Sequence, residues 1–350
     1  MRIAITNVQV PFIHGGAELQ ATHLWQALRE AGHEAELVNI PFKWYPPERI
    51  SDHMLACRLL DLTEANLTPI DCVIGLKFPA YLVPHPNKVL WVIHQHRTAY
   101  DLWGHELGDI HRTPEGALVR QSIRDADCTA MREARHVFSE SRNVAKRLMA
   151  FNGIDSEPLY HPPPHPEAFH TQPAEPFFFF PSRLSPIKRQ ELVVRALPHC
   201  RNPVRVCFAG VADAADFVPA MERLAQELGV DSRITWLGGI SEEDKRSHYA
   251  RCLAVVYVPY DEDYGYVTLE ACLSGKAVVT VNDAGGVLEF IRHGETGLVA
   301  APEPEALAEA LDTLWEDRAR ARRLGENARA SYDSLNITWP HVVERLLACL

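Results

Sequence analysis

The segment RIAITNVQVPFIHGGAELQATHLWQALREAGHEAELVN, residues 2–39, carries the decision on fold class. Arg2 to Val8 is apolar and β-prone, Gly15-Gly16 breaks it, and Ala17 to Ala31 repeats apolar residues at helical spacing through Leu24 and Leu28. Gly32 stops the helix, and Glu34 to Asn39 resumes a strand at once. Strand, glycine loop, helix and strand in that order form a βαβ unit, which requires a parallel sheet covered by helices.

The same grammar continues outward. Short apolar runs at Cys72 to Leu76, Val89 to Ile93 and His136 to Ser139 are separated by longer segments. A proline-rich break, His161-Pro162-Pro163-Pro164-His165-Pro166 with Pro173 and Pro176 after it, interrupts the pattern and predicts a linker. Beyond it the pattern restarts with strands at Phe177 to Pro181, Val204 to Ala209, Ile234 to Leu237 and Ala254 to Val258. Helical periodicity falls at Gln190 to Leu197, Ala220 to Leu228, Leu307 to Leu314 and Ala319 to Tyr332. A chain of 350 residues suits two cores better than one. The expected division is therefore 1–170 and 171–335, two Rossmann-like α/β domains facing across a cleft, with a helix of about 336–350 packing back on the first domain.

Composition narrows the function classes. A formal charge of -11 argues against bulk nucleic-acid binding, which draws its affinity from clustered Lys and Arg. Arg120, Arg124, Arg132, Arg135, Arg142, Lys146 and Arg147 are the local exception, diluted by Asp125, Asp127, Glu133 and Glu140. They read as a solvated helical face, with a membrane-docking or anionic-acceptor patch as the alternative. The eight cysteines form no CxxC pair and read as reduced thiols. The N-terminal residues lack the features of a signal peptide, and no run approaches the ~18 to 20 apolar residues that span a bilayer. The expectation is a cytoplasmic protein, with any membrane contact peripheral and at the inner face.

In open α/β sheets, ligands sit beyond the carboxyl ends of the strands, where helix N-termini offer N–H groups to phosphate. The loop after the strand ending near Pro259 is the main candidate. Gly265 allows a close backbone approach, and Val267 to Leu273 can form a helix facing a diphosphate. Glu262 and Glu270 bracket that helix start. As ionised acceptors they suit sugar or ribose hydroxyls, although the helix dipole alone also favours acids there. Arg183 and Lys188, after the Phe177 to Pro181 strand, are two cations able to neutralise a pyrophosphate without a metal. Gly285-Gly286 offers either a backbone surface for a sugar or a plain turn. No DxD-like metal motif occurs in a suitable loop, since Asp261-Glu262-Asp263 belongs to the carboxylate pattern.

Taken in order, these residues resemble the retaining nucleotide-sugar glycosyltransferases of the GT-B fold, glycosyltransferase family 4. The resemblance runs through Gly15-Gly16-Ala17-Glu18, Arg183 to Lys188, Val206 to Gly210, Ile234 to Gly238, and the E-x7-E pattern from Glu262 to Glu270. It continues through Ser274 to Val279, Gly285-Gly286 to Glu289, and His293 to Val299. It implies a hexosyltransferase with an N-terminal acceptor domain and a C-terminal donor-binding domain. The donor would be a nucleoside diphosphate sugar, UDP- or GDP-linked, with no metal or other cofactor. By motif position, Glu270 would bind the ribose, Glu262 the donor sugar, Arg183 and Lys188 the diphosphate, and Tyr266, Val267, Thr268 and Leu269 would donate N–H groups. Gly15 and Gly16 would form the first domain's glycine loop.

The family also has a histidine after a first-domain strand, which the resemblance places at His94. His96 is the competitor, because strand alternation would turn both imidazoles to one side. The chain departs from the family at Asp263 and Tyr266 beside Gly265, at Ala277 in place of proline, and at Pro162 to Pro164 in place of an Asn-Gly turn. The acceptor implied is a glycan, lipid-linked or small-molecule hydroxyl, as in surface polysaccharide or glycolipid synthesis. A nucleotide-sugar epimerase of the same fold and a non-catalytic sugar-nucleotide or glycan-binding protein remain the alternatives. A NAD-dependent dehydrogenase is disfavoured because no GxGxxG occupies either first strand-helix turn.

Overall fold

The opening strand, β1 (Arg2–Gln9), is buried at every position from Ile3 to Val8, the signature of a strand covered on both faces. In the computed structural model, which describes residues 1–12 and 15–350, it is followed by α1 (Gly16–Glu30), β2 (Glu34–Pro41) and α2 (Arg49–Leu59). A short hairpin, β3 (Glu64–Ala65) and β4 (Thr68–Pro69), leads into β5 (Cys72–Gly75) and β6 (Lys88–Val92). Then come α3 (Gly116–Arg132), β7 (His136–Ser139), α4 (Arg142–Asn152) and β8 (Glu157–Pro158). The main sheet has the order β2-β1-β5-β6-β7-β8, with every pairing parallel. Alternate strand residues feed two cores. Ile3, Ile5, Ile74 and Trp91 pack with α1 and the C-terminal helix Trp339–Leu347, while Val8, Leu90, Val92 and Val137 pack on the other side.

The second unit repeats this plan. It contains β9 (Phe178–Pro181), α5 (Gln190–Ala196), β10 (Val206–Ala209), α6 (Phe217–Glu227), β11 (Ile234–Trp236) and α7 (Glu242–Arg251). It continues with β12 (Ala254–Val256), α8 (Tyr266–Leu273), β13 (Val278–Val281), β14 (Gly297–Ala300), α9 (Pro304–Glu316) and α10 (Arg318–Asp333). Its strand order is β11-β10-β9-β12-β13-β14, again all parallel. That order reverses direction between β9 and β12, the topological switch point at which doubly wound sheets open a crevice.

The units comprise Met1–Pro164 with Ile337–Leu350, and His165–Asn336. The division lies inside the proline run rather than at residue 170, because the following residues are tied to the second unit. Phe169 packs on the Tyr249 ring, the Thr171 hydroxyl donates to Ser274 O at 2.7 Å, and Gln172 N–H donates to Ala250 O at 2.9 Å. All eight cysteines are free thiols. Among the described residues, no helix is long and apolar enough to cross a membrane.

Two sequence expectations are corrected in the first unit. β6 ends at Val92, so strand alternation does not govern His94 and His96, which lie in an irregular loop. The basic cluster is not simply a solvated face. Arg120 donates to Ala99 O at 2.9 Å, Arg124 to Phe151 O at 3.0 Å, and Arg147 lies 3.8 Å from Asp101. A helix exposes one stripe and buries another, and these arginines extend over the junction with the loop after β6.

Beneath that loop lies Asp127, fully buried on α3. It accepts from the Tyr81 hydroxyl at 2.9 Å and the Tyr100 hydroxyl at 2.7 Å. Burial pushes its carboxyl up to about 7, against the opposing effect of the two tyrosine hydrogen bonds. A carboxyl raised from its ordinary 3.8 holds its proton more tightly in the folded state. Its stabilising contribution is complete below about pH 4 and is lost as pH rises to about 7, by at most about 1.4 kcal/mol per pH unit. Unfolding by guanidinium across that range is expected to show this decline in the native protein and a flatter profile in Asp127→Asn. Identical slopes would contradict the assignment.

Candidate functional site

The loops that leave β9 and β12 flank the switch point, and the charged residues of the second unit meet there. Lys188 ends a short 3-10 turn, Pro186–Lys188, before α5. Its ammonium donates to the Tyr257 hydroxyl at 3.1 Å and to the Glu262 carboxylate. Tyr257 in turn donates to Glu262 Oε2 at 2.7 Å. Burial alone would raise the Glu262 carboxyl, but the Lys188 charge and the two hydrogen bonds outweigh it and hold it below its ordinary value. Glu262 is therefore an ionised acceptor at neutral pH.

Backbone packing keeps this carboxylate in place. Gly286 N–H donates to Glu262 O at 2.8 Å, and Glu262 N–H donates to Ala284 O at 3.2 Å. A Cβ at Gly286 would lie 2.5 Å from Asp263 O, so the second glycine of Gly285-Gly286 serves close packing against the carboxylate loop. Gly265 has φ +84°, the left-handed conformation that starts α8 without a side-chain cap. Tyr266, Val267, Thr268 and Leu269 form the first turn of that helix, where the Thr268 N–H donates to Gly265 O at 3.0 Å. From Val267 onward every residue of α8 is buried.

Glu270 lies on the same helix but in a separate set of contacts. It is 4% exposed. Lys245 donates to its Oε1 at 2.9 Å and Tyr249 to its Oε2 at 2.8 Å. Burial raises its carboxyl despite the neighbouring Lys245 ammonium and both hydrogen bonds. Arg183 is much more open, and its guanidinium lies 3.3 Å from Asp213 on the loop after β10. Lys188 and Glu262 are thus brought into direct contact, whereas Glu270 and Arg183 each have other partners.

Sequence reasoning missed Tyr257, Lys245, Tyr249, and the Arg189–Asp283 pair with its two bonds of 2.8 and 2.9 Å. Only Lys245 and Tyr249 left a trace, in their spacing, four apart and so on one helix face. The others are contacts between loops far apart in the chain.

In the first unit, Gly15 N–H donates to the Glu18 carboxylate at 2.9 Å, and Gly16 opens α1. His94 is partly buried, with Nδ1 2.7 Å from Gln95 O. A carbonyl only accepts, so this contact puts the proton on Nδ1. His96 instead packs against Phe42 and Phe78, and burial lowers its imidazole to about 4. It is a packing residue that burial keeps neutral. A groove of about 570 Å³ lined by Arg132, Arg135, His136 and Glu157, among others, lies before the starts of β7 and β8. It is at the wrong ends of the strands to belong to this site.

Known proteins resemble this chain in both sequence and fold. The model of a family described as glycosyl transferases group 1 matches residues 165–331. A D-inositol 3-phosphate glycosyltransferase of Nocardia farcinica is 30% identical over 237 residues, 61% of this chain and 52% of the relative. A GDP-mannose-dependent alpha-(1-6)-phosphatidylinositol monomannoside mannosyltransferase of Mycobacterium tuberculosis is 32% identical over 158 residues, 42% of this chain and 40% of the relative. The chain thus spans about half, or less, of the length of these curated relatives.

Among solved structures, Anabaena HepE in complex with UDP and glucose aligns over 100% of both chains with a TM-score of 0.75 at 19% identity. Sucrose-phosphate synthase from Thermosynechococcus elongatus covers 99% of this chain and 97% of its own, with a TM-score of 0.78 at 18% identity. Residues 165–331 of this chain thus match the group 1 glycosyl transferases, and its two Rossmann-like units have the GT-B fold of their structural neighbours.

Proposed function

We propose that this chain is a retaining hexosyltransferase, which moves a sugar from a nucleoside diphosphate donor to a hydroxyl acceptor without a metal. The observation that carries the reading is the Lys188–Tyr257–Glu262 cluster at the switch point of the second unit, immediately before the N-terminus of α8. The N-terminus of a helix and a nearby ammonium favour a diphosphate, and an ionised carboxylate favours sugar hydroxyls. The match of this unit to group 1 glycosyl transferases supports the same conclusion.

In this mechanism the second unit binds the donor. Its diphosphate draws the Lys188 ammonium from Glu262, and the released carboxylate accepts hydroxyls of the transferred sugar. Arg183 and Lys188 stabilise the negative charge that develops as the nucleoside diphosphate departs, and Glu270 holds the ribose. The acceptor hydroxyl attacks the anomeric carbon from the face that the diphosphate leaves and passes its proton to the departing phosphate oxygen, so the product keeps the donor's configuration. His94 in the first unit orients the reacting sugar through its ring. A UDP or GDP sugar is the favoured donor, since HepE was solved with UDP and the mycobacterial relative is named for GDP-mannose. The acceptor is a glycan, lipid-linked or small-molecule hydroxyl. The reaction is placed in the cytoplasm, at the inner membrane face where the acceptor is lipid-linked.

The first test is calorimetric binding of UDP, GDP, ADP, CMP and dTDP sugars without added metal, comparing the native protein with Glu270→Ala. One donor is expected to bind, and about ten- to a hundredfold more weakly to the variant, because bonds to a charged group contribute about 1.5–3 kcal/mol. Binding of none of the five would remove the central support for the reading. Binding with no turnover would favour a sugar-nucleotide-binding protein, and donor interconversion without acceptor would favour an epimerase.

With the preferred donor in hand, Lys188→Ala is expected to lower kcat by about 10² to 10³, the cost of removing one preorganised group from developing charge. The native product is expected to retain the donor's anomeric configuration by NMR coupling constants. Inversion would exclude the mechanism.

A further inference from the structure

The loop that carries His94 has little regular structure of its own. Between the end of β6 at Val92 and Asp101 it contains a single 3-10 turn, Arg97–Ala99. A segment of this kind needs external anchors to hold one side chain in a fixed direction. The anchors form a chain of hydrogen bonds below it.

Gln95, 1% exposed, donates through Nε2 to Asn152 Oδ1 at the end of α4. Asn152 Nδ2 donates to the Tyr100 hydroxyl at 3.2 Å, and that hydroxyl donates to Asp127 Oδ2 at 2.7 Å. Asp127 also takes the Tyr81 hydroxyl at its other oxygen. With Asp127 as the acceptor at one end, the polarity of the chain follows, because a tyrosine hydroxyl has one proton and an amide has distinct donor and acceptor ends. Reversing any member would leave two acceptors or two donors facing each other in a buried place, where an unmade hydrogen bond costs most. The basic residues of α3 reinforce the same segment. Arg120 holds Ala99 O, and the Arg124 guanidinium lies 5.6 Å from the centre of the Tyr100 ring.

The chain ends where it matters for His94. Gln95, whose side chain Asn152 receives, is also the residue whose backbone carbonyl accepts from His94 Nδ1. The position of that carbonyl decides which imidazole nitrogen carries the proton and where the ring points. We propose that Asn152 and Tyr100 are positioning residues for His94. They immobilise Gln95 so that its carbonyl selects the Nδ1–H form of His94 and fixes the ring that the proposed transfer reaction uses. The proposal rests on the glycosyl-transfer reading only for the last step, since the anchoring of the loop and the choice of tautomer are properties of the first unit alone.

A network serving stability alone would lower activity, if at all, independently of His94. Positioning predicts dependence on it. The experiment is a double-mutant cycle with Tyr100→Phe, which keeps the ring and removes the hydroxyl, and His94→Gln, reading hydrolysis of the preferred donor from the panel above. Tyr100→Phe is expected to lower kcat between about ten- and a hundredfold, the cost of a small misplacement at a reacting centre, with donor binding within twofold of native. In the His94→Gln background the same change is expected to cost less than twofold. Equal losses in both backgrounds would overturn the proposal.

A second readout needs no substrate. In protein labelled with ¹⁵N-histidine, with the His94 signals identified by their loss in His94→Gln, the native spectrum is expected to show the Nδ1–H tautomer. Tyr100→Phe and Asn152→Ser are expected to shift it toward the Nε2–H form. An unchanged tautomer in both folded variants, their melting temperatures confirming the fold, would overturn the proposal even if no donor were found. A changed tautomer in a protein that transfers no sugar would leave the anchoring intact and remove only the glycosyl-transfer reading.

Discussion

Parallel pairing of β9 between β10 and β12 is the constraint on which the chemistry of the second unit depends. Strands that run side by side in the same direction release their loops at the same edge, and at a switch point the following helices diverge to opposite faces. The loop after β9 brings Lys188, and the loop after β12 brings Glu262, 74 residues further along the chain. Neither residue would have an obvious role alone. Together with Tyr257 they make an ammonium, a phenol and a carboxylate with complementary hydrogen-bonding roles beside a helix N-terminus.

The two glutamates of the E-x7-E pattern lie in separate sets of contacts around the start of one helix. Glu262 precedes α8 and is held ionised by a cation from another loop. Glu270 lies within α8 and is enclosed by Lys245 and Tyr249 of α7, with burial raising its carboxyl. Each has an orientation fixed by its own partners. Gly286 contributes by what it lacks, since a Cβ there would displace the carbonyl of Asp263 and with it the loop that presents Glu262.

The first unit solves a different problem. His94 stands on an irregular loop, which is anchored by buried polar side chains of α3 and α4. A buried carboxyl such as Asp127 is costly, and two tyrosine hydroxyls only partly offset that cost. The residues that looked from their charge like an exposed basic face include arginines used to close this loop against the helices.

Strand and helix periodicity, the glycine breaks and the proline run were legible in residues 2–39 and again from 177 onward, because local apolar spacing and turn chemistry are properties of neighbouring residues. The candidate carboxylates and cations were legible for a related reason: their residue types and order form a pattern. What remained hidden was long-range. The partition at Pro164 depends on Phe169, Thr171 and Gln172 finding partners in the second unit, and the different fates of His94 and His96 depend on where β6 ends. The sequence by itself determined two α/β units and which groups carry charge. Only the tertiary structure decided that Lys188 meets Glu262, that Lys245 and Tyr249 enclose Glu270, and that Gln95 hangs from Asn152, because hydrogen bonds between distant loops leave no periodicity in the chain.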